Sequence, residues 1–406
     1  MDFYRPLFIF ICLSLLCGFV LAENQTQTIV IGGLLPLTGN GSAHGPSYKA
    51  AMEMAADDLN SKYTSLGLPY QVKLNIVDTE TNPDIAKKIG TEMIKEGTHF
   101  IVGPLTSEEM KALEKTAKDS NTVLIGYGST TPGISSEDNT IIRLCPDDKI
   151  QALGIQALFK KSNYTTIIPV VRDDVYGQNL YDLMSNLSKT GNFTLTDPIM
   201  YEAGTNQFDT TVDKIAQTVQ SINQKSGVAV LIIGFDEATE ILNTASKNKD
   251  LSTVSWVGTD GIALSDSPLK NKNVAEFAVK TNFTATIYGE MENEPKFMEF
   301  SKRLQTATGI KPTPYAVVID DAVQLAALTN IMSPGNPDYR SVFIDNANHF
   351  YGISGYTSVT DAGDRKFANI DFWTIKDNNG TYGWTKIGRF VNQMAGPVIE
   401  MKTKTT

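Results

Sequence analysis

Cysteine and histidine are scarce in this 406-residue sequence, which contains three of each. The histidines, His44, His99 and His349, are far apart, and the sequence has neither an HExxH motif nor two cysteines at the spacing of metal ligands. Zinc sites are built from such clustered nitrogen and sulfur ligands. We therefore expect no metal site.

Clusters of basic residues are missing as well. The chain has 35 Lys and Arg against 45 Asp and Glu, which gives a formal net charge of -10, and its cations are scattered. Nucleic-acid binders normally carry a basic face, because neutralising phosphates supplies most of their affinity. We therefore expect no nucleic-acid partner. The hydrophobic share of 41% suits a folded chain, and the length suits two domains.

Motifs of enzymes and nucleotide binders are also missing. No GxSxG, P-loop or Cys–His pairing is present, and the acidic residues form no paired catalytic motif. The glycine-rich stretch Gly39–Gly45 follows a predicted strand, but it has the wrong glycine spacing for a dinucleotide-binding turn. It also lacks the acidic residue expected about 20 residues downstream. We interpret it as a strand-to-helix turn, and we expect neither catalysis nor a cofactor.

The first 22 residues differ from the rest of the chain. A short segment with a cation precedes Pro6–Ala22, which contains no charge. Val20 and Ala22 are small enough for the two positions that signal peptidase reads, which predicts a signal peptide over residues 1–22. An uncleaved membrane anchor, or a lipid on Cys17, remains an alternative. All three predict export to the periplasm, the cell surface or the extracellular space, and we expect no later membrane span.

From residue 28 onward, short β-branched runs alternate with amphipathic stretches. The predicted strands are Thr28–Leu35, Tyr70–Asp78, Phe100–Val102, Val123–Ile125, Thr165–Arg172, Val228–Ile233 and Val254–Val257. The predicted helices are Ser47–Asn60, Asp84–Glu96, Glu108–Asp119, Leu180–Lys189, Phe208–Asn223, Ala238–Lys247, Glu294–Thr306 and Tyr315–Ile331. This alternation predicts parallel sheets covered on both faces, with ligands bound at the carboxyl ends of the strands.

The alternation is interrupted near residues 143–146 and again near residues 280–284, and the end of the chain, residues 351–386, is rich in strand patterns. No low-complexity linker separates the parts. We therefore predict two α/β units that are intimately connected rather than tethered.

Several short motifs follow one another over residues 28–388. They are Ile31-Gly-Gly-Leu-Leu-Pro-Leu-Thr-Gly39, Val102-Gly-Pro-Leu-Thr-Ser107, Ile125-Gly-Tyr-Gly-Ser-Thr-Thr-Pro132, Asp173-Asp-Val-Tyr-Gly177, Val257-Gly-Thr-Asp-Gly261, Pro314-Tyr-Ala316 and Gly352-Ile-Ser-Gly355. Each is weak alone. In this order the set resembles the type I periplasmic solute-binding proteins, in the leucine/isoleucine/valine-binding family of branched-chain amino acid ABC transporters.

The resemblance implies an α/β fold of two Rossmann-like, doubly wound lobes joined by three hinge crossings, near Leu144, Lys280 and Ile353. The implied division assigns residues 28–144 and 281–352 to lobe 1, residues 145–280 and 353–390 to lobe 2, and residues 391–406 to a C-terminal tail.

The resemblance also implies which residues would hold an amino acid between the lobes. Its carboxylate and ammonium would be bound by Ser107, by Ser129 with Thr130, by Tyr176 and by Asp260. A carboxylate is favoured where N–H groups and the positive end of a helix converge, as before the helix predicted after Ser107. An acid such as Asp260 is the natural partner of an ammonium group in a cleft that excludes water.

Each of these residues also has a simpler structural interpretation. Ser107 or its neighbour would cap the helix, with Glu109 completing a capping box. Thr130 would form an ST-turn. Tyr176 would pack on the sheet, and Asp260 would be an ordinary turn residue.

The pocket for the ligand's side chain departs from the family. His44 stands where the leucine binder has a tyrosine, and Phe235, followed by Asp236 and Glu237, replaces an aromatic-rich turn. We retain His44 and Phe235 as candidate ligand contacts. The expected ligand is a branched-chain-like or related small amino acid or amide, and leucine itself is not assigned.

By this resemblance the protein would be a monomer that captures a free amino acid and delivers it to the permease subunits of an ABC importer. It would not be an enzyme. One alternative is an extracytoplasmic sensing domain with a separate membrane signalling partner, since receptor ectodomains share the fold. Reuse of the fold by an enzyme or a scaffold is another.

Overall fold

The computed structural model describes residues 25–289, 294–334, 338–392 and 398–401. Its strands are β1 (Gln27–Leu35), β2 (Tyr70–Asp78), β3 (Phe100–Val102), β4 (Val123–Gly126), β5 (Ile141–Arg143), β6 (Thr166–Asp173), β7 (Thr194–Leu195), β8 (Ile199–Glu202), β9 (Val228–Ile233), β10 (Ser255–Gly258), β11 (Thr284–Tyr288), β12 (Tyr351–Gly352), β13 (Gly355–Tyr356), β14 (Asn369–Asn378), β15 (Thr381–Val391) and β16 (Val398–Met401). Its helices are α1 (Gly45–Ser65), α2 (Pro83–Lys95), α3 (Ser107–Asp119), α4 (Asp148–Ser162), α5 (Val175–Ser188), α6 (Asp209–Ser221), α7 (Ala238–Ser246), α8 (Ser267–Lys270), α9 (Lys272–Lys280), α10 (Pro295–Thr308), α11 (Pro314–Met332) and α12 (Tyr339–His349).

Local sequence signals explain where several of these elements begin and end. The Asn82 side chain accepts hydrogen bonds from two N–H groups at the start of α2, and Pro83 occupies the first helical position. Asn163 ends α4 in a left-handed conformation, with φ 55°. All six residues of β9 are buried, as expected for a strand inside a parallel sheet that is covered on both faces.

The first lobe is built on a parallel sheet in the order β2-β1-β3-β4-β5. Helix α11 packs against α1, α12 and strands β1 and β3, and α10 packs against α1. By length and composition α11 is apolar enough to span a membrane, so our expectation of no such later segment is wrong. Most of α11 is buried inside the first lobe, which accounts for its apolar sequence.

The second lobe is built on a mixed sheet in the order β16-β15-β14-β11-β10-β9-β6-β7, and β8 also pairs with β6. Strands β6 to β11 pair with one another in the parallel sense. Strand β14 adds to β11 in the antiparallel sense, and β15 and β16 continue that pattern. Helices α4 and α5 cover one part of the sheet, while α6, α7 and α9 pack together. The predicted fold of two doubly wound α/β lobes is therefore confirmed.

Three details of the predicted division are wrong. Residues 281–352 were expected in lobe 1, but β11 is hydrogen-bonded between β10 and β14 and so belongs to the second sheet. The third crossing was expected near Ile353, but the chain still lies beside the first sheet at Gly363, whose carbonyl accepts from the Arg143 N–H at 2.7 Å. The expected tail contains β16, which pairs with β15.

Asp320 in α11 makes the stability of the first lobe depend on pH. Burial, reinforced by the neighbouring Asp321, raises the pKa of Asp320 to about 8. The Asp321 carboxylate accepts the N–H groups of Ile353 and Ser354 at 2.8 and 2.9 Å. The pKa of Asp320 is higher in the folded chain than in the unfolded chain. Protonation of Asp320 therefore stabilises the folded state, and this stabilisation is complete below about pH 4. That contribution is lost as the pH rises through 8.

We expect Asp320→Asn to be more stable than the wild type at pH 9, by about 1–3 kcal/mol, because the variant places no charge in this buried site. At pH 5 this advantage should be much smaller, since the carboxyl of the folded wild type is then protonated. Urea unfolding of both proteins at the two pH values measures the difference. An equal difference at pH 5 and pH 9 would contradict the assignment.

Candidate ligand-binding site

The predicted site residues follow the carboxyl ends of strands in both sheets. Ser107 comes shortly after β3, and Ser129 and Thr130 follow β4. In the second lobe, Tyr176 follows β6, and Asp260 follows β10 by two residues. Residues of both lobes that follow these strand ends meet in the cleft, as in other open parallel sheets.

A cavity of about 40 Å³ lies between the two lobes. Its polar lining includes His44, Tyr48, Thr313 and Tyr315 from the first lobe and Asp236 and Asp260 from the second. Phe235 and Ile287 add apolar surface. The cavity is therefore built by both lobes, and a ligand held in it would connect them.

Asp260 is the most heavily hydrogen-bonded acid of this cavity. Its Oδ1 accepts from Gln151 Nε2 at 2.8 Å and from the Tyr176 hydroxyl at 2.7 Å. Its Oδ2 accepts from the Tyr315 hydroxyl of the first lobe at 2.6 Å. A carboxylate offers about four lone-pair positions, so three donors leave one position for a ligand. The Tyr315 bond joins the lobes directly.

A stacked aromatic wall supports this carboxylate. The rings of Tyr176 and Phe235 are 5.1 Å apart and nearly parallel, and the Arg172 guanidinium lies 5.0 Å from the Phe235 ring centre. Arg172 is itself held by Glu237 at 2.7 Å. Since these contacts all lie within the second lobe, its side of the cleft is organised before a ligand arrives.

A close backbone approach also fixes the two second-lobe turns relative to each other. A Cβ at Gly261 would come within 2.2 Å of the Gly234 carbonyl oxygen. Only glycine allows this contact, which brings the turn that carries Asp260 against the turn that carries Phe235. The spacing of the Asp260 and Phe235 side chains therefore depends on residue 261 being a glycine.

The first lobe contributes a cluster of hydroxyl groups. Ser107 Oγ accepts from the Ser129 hydroxyl at 3.2 Å and from the Thr131 N–H at 3.3 Å. Thr130 is buried in the same turn, and its hydroxyl acts on the Asp148 carboxylate. Thr106, rather than Ser107, caps α3, in a capping box with Glu109. The Ser107 side chain is therefore not needed as the cap.

Arg143 fixes the turn that carries these hydroxyls. Its side chain is fully buried and donates to the carbonyls of Thr131 at 2.6 Å and Ser129 at 3.3 Å. It also donates to Asp364 in the third crossing, from Nε at 2.7 Å. One side chain thus connects the hydroxyl cluster to a segment between the lobes.

The site as a whole is acidic. Besides Asp236 and Asp260, Asp148 at the start of α4 is fully buried. Burial, and then the nearby Asp260, raises the pKa of Asp148 well above its usual value. No lysine or arginine lines the described cavity. The chemistry of the cleft therefore favours a positively charged or hydrogen-donating ligand group.

His44 and Asp236 lie on opposite lobes of the same cavity. Burial lowers the pKa of His44 to about 4, although Asp266 and the Ala263 carbonyl act in the opposite direction, so the ring is neutral at pH 7. Burial raises the pKa of Asp236 to about 6, and the Ser265 hydroxyl and the Ala43 N–H act against that rise. Asp236 is therefore mostly ionised at neutral pH.

The structure brings together some of the predicted site residues and separates others. His44, Phe235 and Asp260 line the cavity, and Tyr176 contacts Asp260. Four predicted residues are not part of the cavity lining, which reaches the two first-lobe turns at Leu105 and Gly128: Ser107, Ser129, Thr130 and Tyr176.

Two residues that contact Asp260, Tyr315 and Gln151, were not predicted from the sequence. Tyr315 lies in a motif that carried the resemblance, Pro314-Tyr-Ala316, but no role was assigned to it. Gln151 is 109 residues away from Asp260 along the chain, and no local pattern in the sequence connects them.

Comparison with known proteins places this architecture in a family. The family model described as "Receptor family ligand binding region" matches residues 48–378. An uncharacterized protein of Methanocaldococcus jannaschii is 25% identical over 394 residues, covering 90% of each chain. The Leu/Ile/Val-binding protein homolog 2 of Brucella abortus is 23% identical over 392 residues, covering 94% of this chain and 99% of its own.

Solved structures share the fold over most of the chain. The substrate-binding protein LivJ of Streptococcus pneumoniae, in complex with isoleucine, has a TM-score of 0.71 at 19% identity and covers 89% of this chain and 100% of its own. A solute-binding protein of R. palustris in complex with 4-hydroxybenzoate has a TM-score of 0.75 at 15% identity. It covers 90% of this chain and 98% of its own.

The two lobes, the three crossings and the cavity between them define a type I periplasmic binding protein fold. The chain belongs to the receptor ligand-binding family.

Proposed function

We propose that the protein is an exported solute-binding protein that captures a free amino acid between its lobes and delivers it to the permease subunits of an ABC importer. The observation that carries the proposal is the Asp260 carboxylate. It lines the interlobe cavity with three donors in place and one lone-pair position left, which suits an ammonium group.

The ligands of the two solved structures described above support a ligand that carries a carboxylate. Isoleucine and 4-hydroxybenzoate, the ligands in the two structures above, both carry a carboxylate, but only isoleucine carries an ammonium group. An acidic cavity without a lysine or arginine in its lining repels a ligand whose only charge is negative. An amino acid, which brings its own cation, fits the site better than a benzoate.

Native mass spectrometry of protein purified without refolding tests the ligand class, followed by titration calorimetry with an amino-acid panel and with 4-hydroxybenzoate. We expect an α-amino acid to be bound and 4-hydroxybenzoate to be rejected. Tight binding of the benzoate, with no amino acid bound, would overturn the proposal.

Ligand binding is expected to close the cleft. The lobes meet at the Tyr315–Asp260 hydrogen bond, and the three crossings can absorb a rigid-body rotation. A ligand that contacts both lobes therefore favours the closed state. Small-angle scattering should show a smaller radius of gyration when the bound amino acid is added. An unchanged radius at saturation would argue against the two-lobe clamp.

The proposed export rests on residues 1–22, which lie outside the described residues. If the predicted signal peptide is removed, the mature chain begins at Glu23. The intact mass of protein recovered from outside the cytoplasm measures this directly. A mass that includes residues 1–22, or a lipid on Cys17, would replace cleavage with one of the two anchored alternatives.

A further inference from the structure

We propose that the bound amino acid has a side chain with N–H groups, an amide or an ammonium, which His44 and Asp236 accept from opposite lobes. This inference rests on the proposed function, because it assigns the side chain of the ligand whose α-ammonium binds Asp260. It departs from the aliphatic side chain of isoleucine in the structure compared above.

His44 offers an unpaired acceptor. It lines the cavity, and its Nδ1 is buried without a hydrogen-bond partner. The Ala263 backbone is the hydrogen-bonding group that acts on the ring, and a neutral ring carries its proton on one nitrogen. With that proton on Nε2, Nδ1 is a buried lone pair that lacks a donor.

Asp236 offers a second acceptor, which is charged. It lines the same cavity from the turn after β9, next to Phe235. Its carboxylate has about four lone-pair positions, and the Ser265 hydroxyl and the Ala43 N–H are the two hydrogen-bond donors that act on it. Positions therefore remain for donors from a ligand.

Two other polar groups of the cavity make their hydrogen bonds elsewhere. The Tyr315 hydroxyl donates to Asp260 at 2.6 Å. Thr313 caps α11, with its side chain accepting the Ala316 N–H, and it lies beside the Tyr48 hydroxyl. No lysine or arginine lines this cavity, so a ligand that brings N–H groups would supply charged or amide donors that the lining does not.

An aliphatic ligand would leave His44 Nδ1 without a donor and would desolvate the free positions of the Asp236 carboxylate. Sites built to hydrogen-bond a ligand group discriminate strongly against analogues that lack the group, because the buried polar atoms are then left without partners. We expect each donor-bearing ligand to bind at least about 10-fold more tightly than its aliphatic isostere.

Titration calorimetry with matched pairs tests this. Asparagine is compared with leucine, which has nearly the same shape, and lysine is compared with norleucine, which lacks the terminal ammonium. Tighter binding of the donor member in either pair supports the proposal, and the pair that shows it distinguishes an amide from an ammonium. Tighter binding of leucine and norleucine would overturn it and leave the proposed amino-acid binder standing. Binding of no α-amino acid would instead overturn the proposed function.

Two variants locate the effect. His44→Phe and Asp236→Leu should each reduce the preference of the donor member over its isostere by about 10-fold, mainly by weakening the donor member. Asp345→Asn, whose side chain is 76% exposed on α12, is the matched control and should leave the preference unchanged. An unchanged preference in both site variants would overturn the assignment of these residues, and the wild-type comparison stands even if a variant fails to fold.

Discussion

Asp260→Asn is expected to weaken amino-acid binding by about 2–5 kcal/mol, or about 30-fold to several-thousand-fold. The ligand's α-ammonium loses its hydration in a closed cleft, and the wild-type carboxylate replaces that hydration through a charge-assisted hydrogen bond. Asparagine keeps the shape of the side chain and removes its charge. The variant therefore isolates the electrostatic part of the interaction, which titration calorimetry measures.

The control for this experiment is again Asp345→Asn, which changes the same charge at an exposed position. Thermal unfolding checks that the Asp260 variant retains its fold, because Gln151, Tyr176 and Tyr315 all donate to the wild-type carboxylate. A loss of affinity below about threefold in a folded variant would show that Asp260 is a turn residue and does not recognise the ammonium.

Arg143→Met is expected to lower the free energy of unfolding by about 3–5 kcal/mol, because Asp364 loses its cationic partner and the buried carbonyls of Ser129 and Thr131 lose a charged donor. The wild-type guanidinium is fully buried and lies 2.5 Å from an Asp364 oxygen. Methionine fills much of the same volume, so the loss reports the missing charge and hydrogen bonds rather than a cavity. Urea unfolding at neutral pH gives the difference.

Arg303→Met serves as the comparison. Arg303 also binds a carboxylate, that of Asp58, with two bonds of 2.7 and 2.8 Å, but both side chains are about half exposed. An exposed ion pair is worth less than about 1 kcal/mol, since water screens it and side-chain entropy opposes it. If the two variants lose the same stability, burial is not what makes Arg143 important.

Much of the fold could be predicted from the sequence because the strand signal is local. The runs 70–78, 100–102 and 228–233 coincide with the observed strands β2, β3 and β9. Fully buried parallel strands read as short apolar runs between helical patterns, and this needs no knowledge of their partners. Helix α12 was missed because Tyr339–His349 has little periodic separation of polar and apolar residues.

The lobe boundary could not be predicted because strand pairing is not local. Strand β11 reads as a break in the alternation, yet it pairs with β10 on one side and with β14, about 85 residues later, on the other. The site shows the same limit. The turn after each strand was visible in the sequence, but the contacts of Asp260 join distant parts of the chain, with Gln151 on a helix of the same lobe and with Tyr315 on the other lobe.

The chain order of the two lobes restricts how the protein can fold as it is synthesised. The first sheet is complete at Arg143, but α11, which packs on it, begins only at Pro314. The second sheet is completed by β14, which begins only at Asn369. Ile370 of this strand lies against Gly154 of α4. A nascent chain that ends before these segments lacks part of both cores, so neither lobe reaches full stability until synthesis is nearly finished.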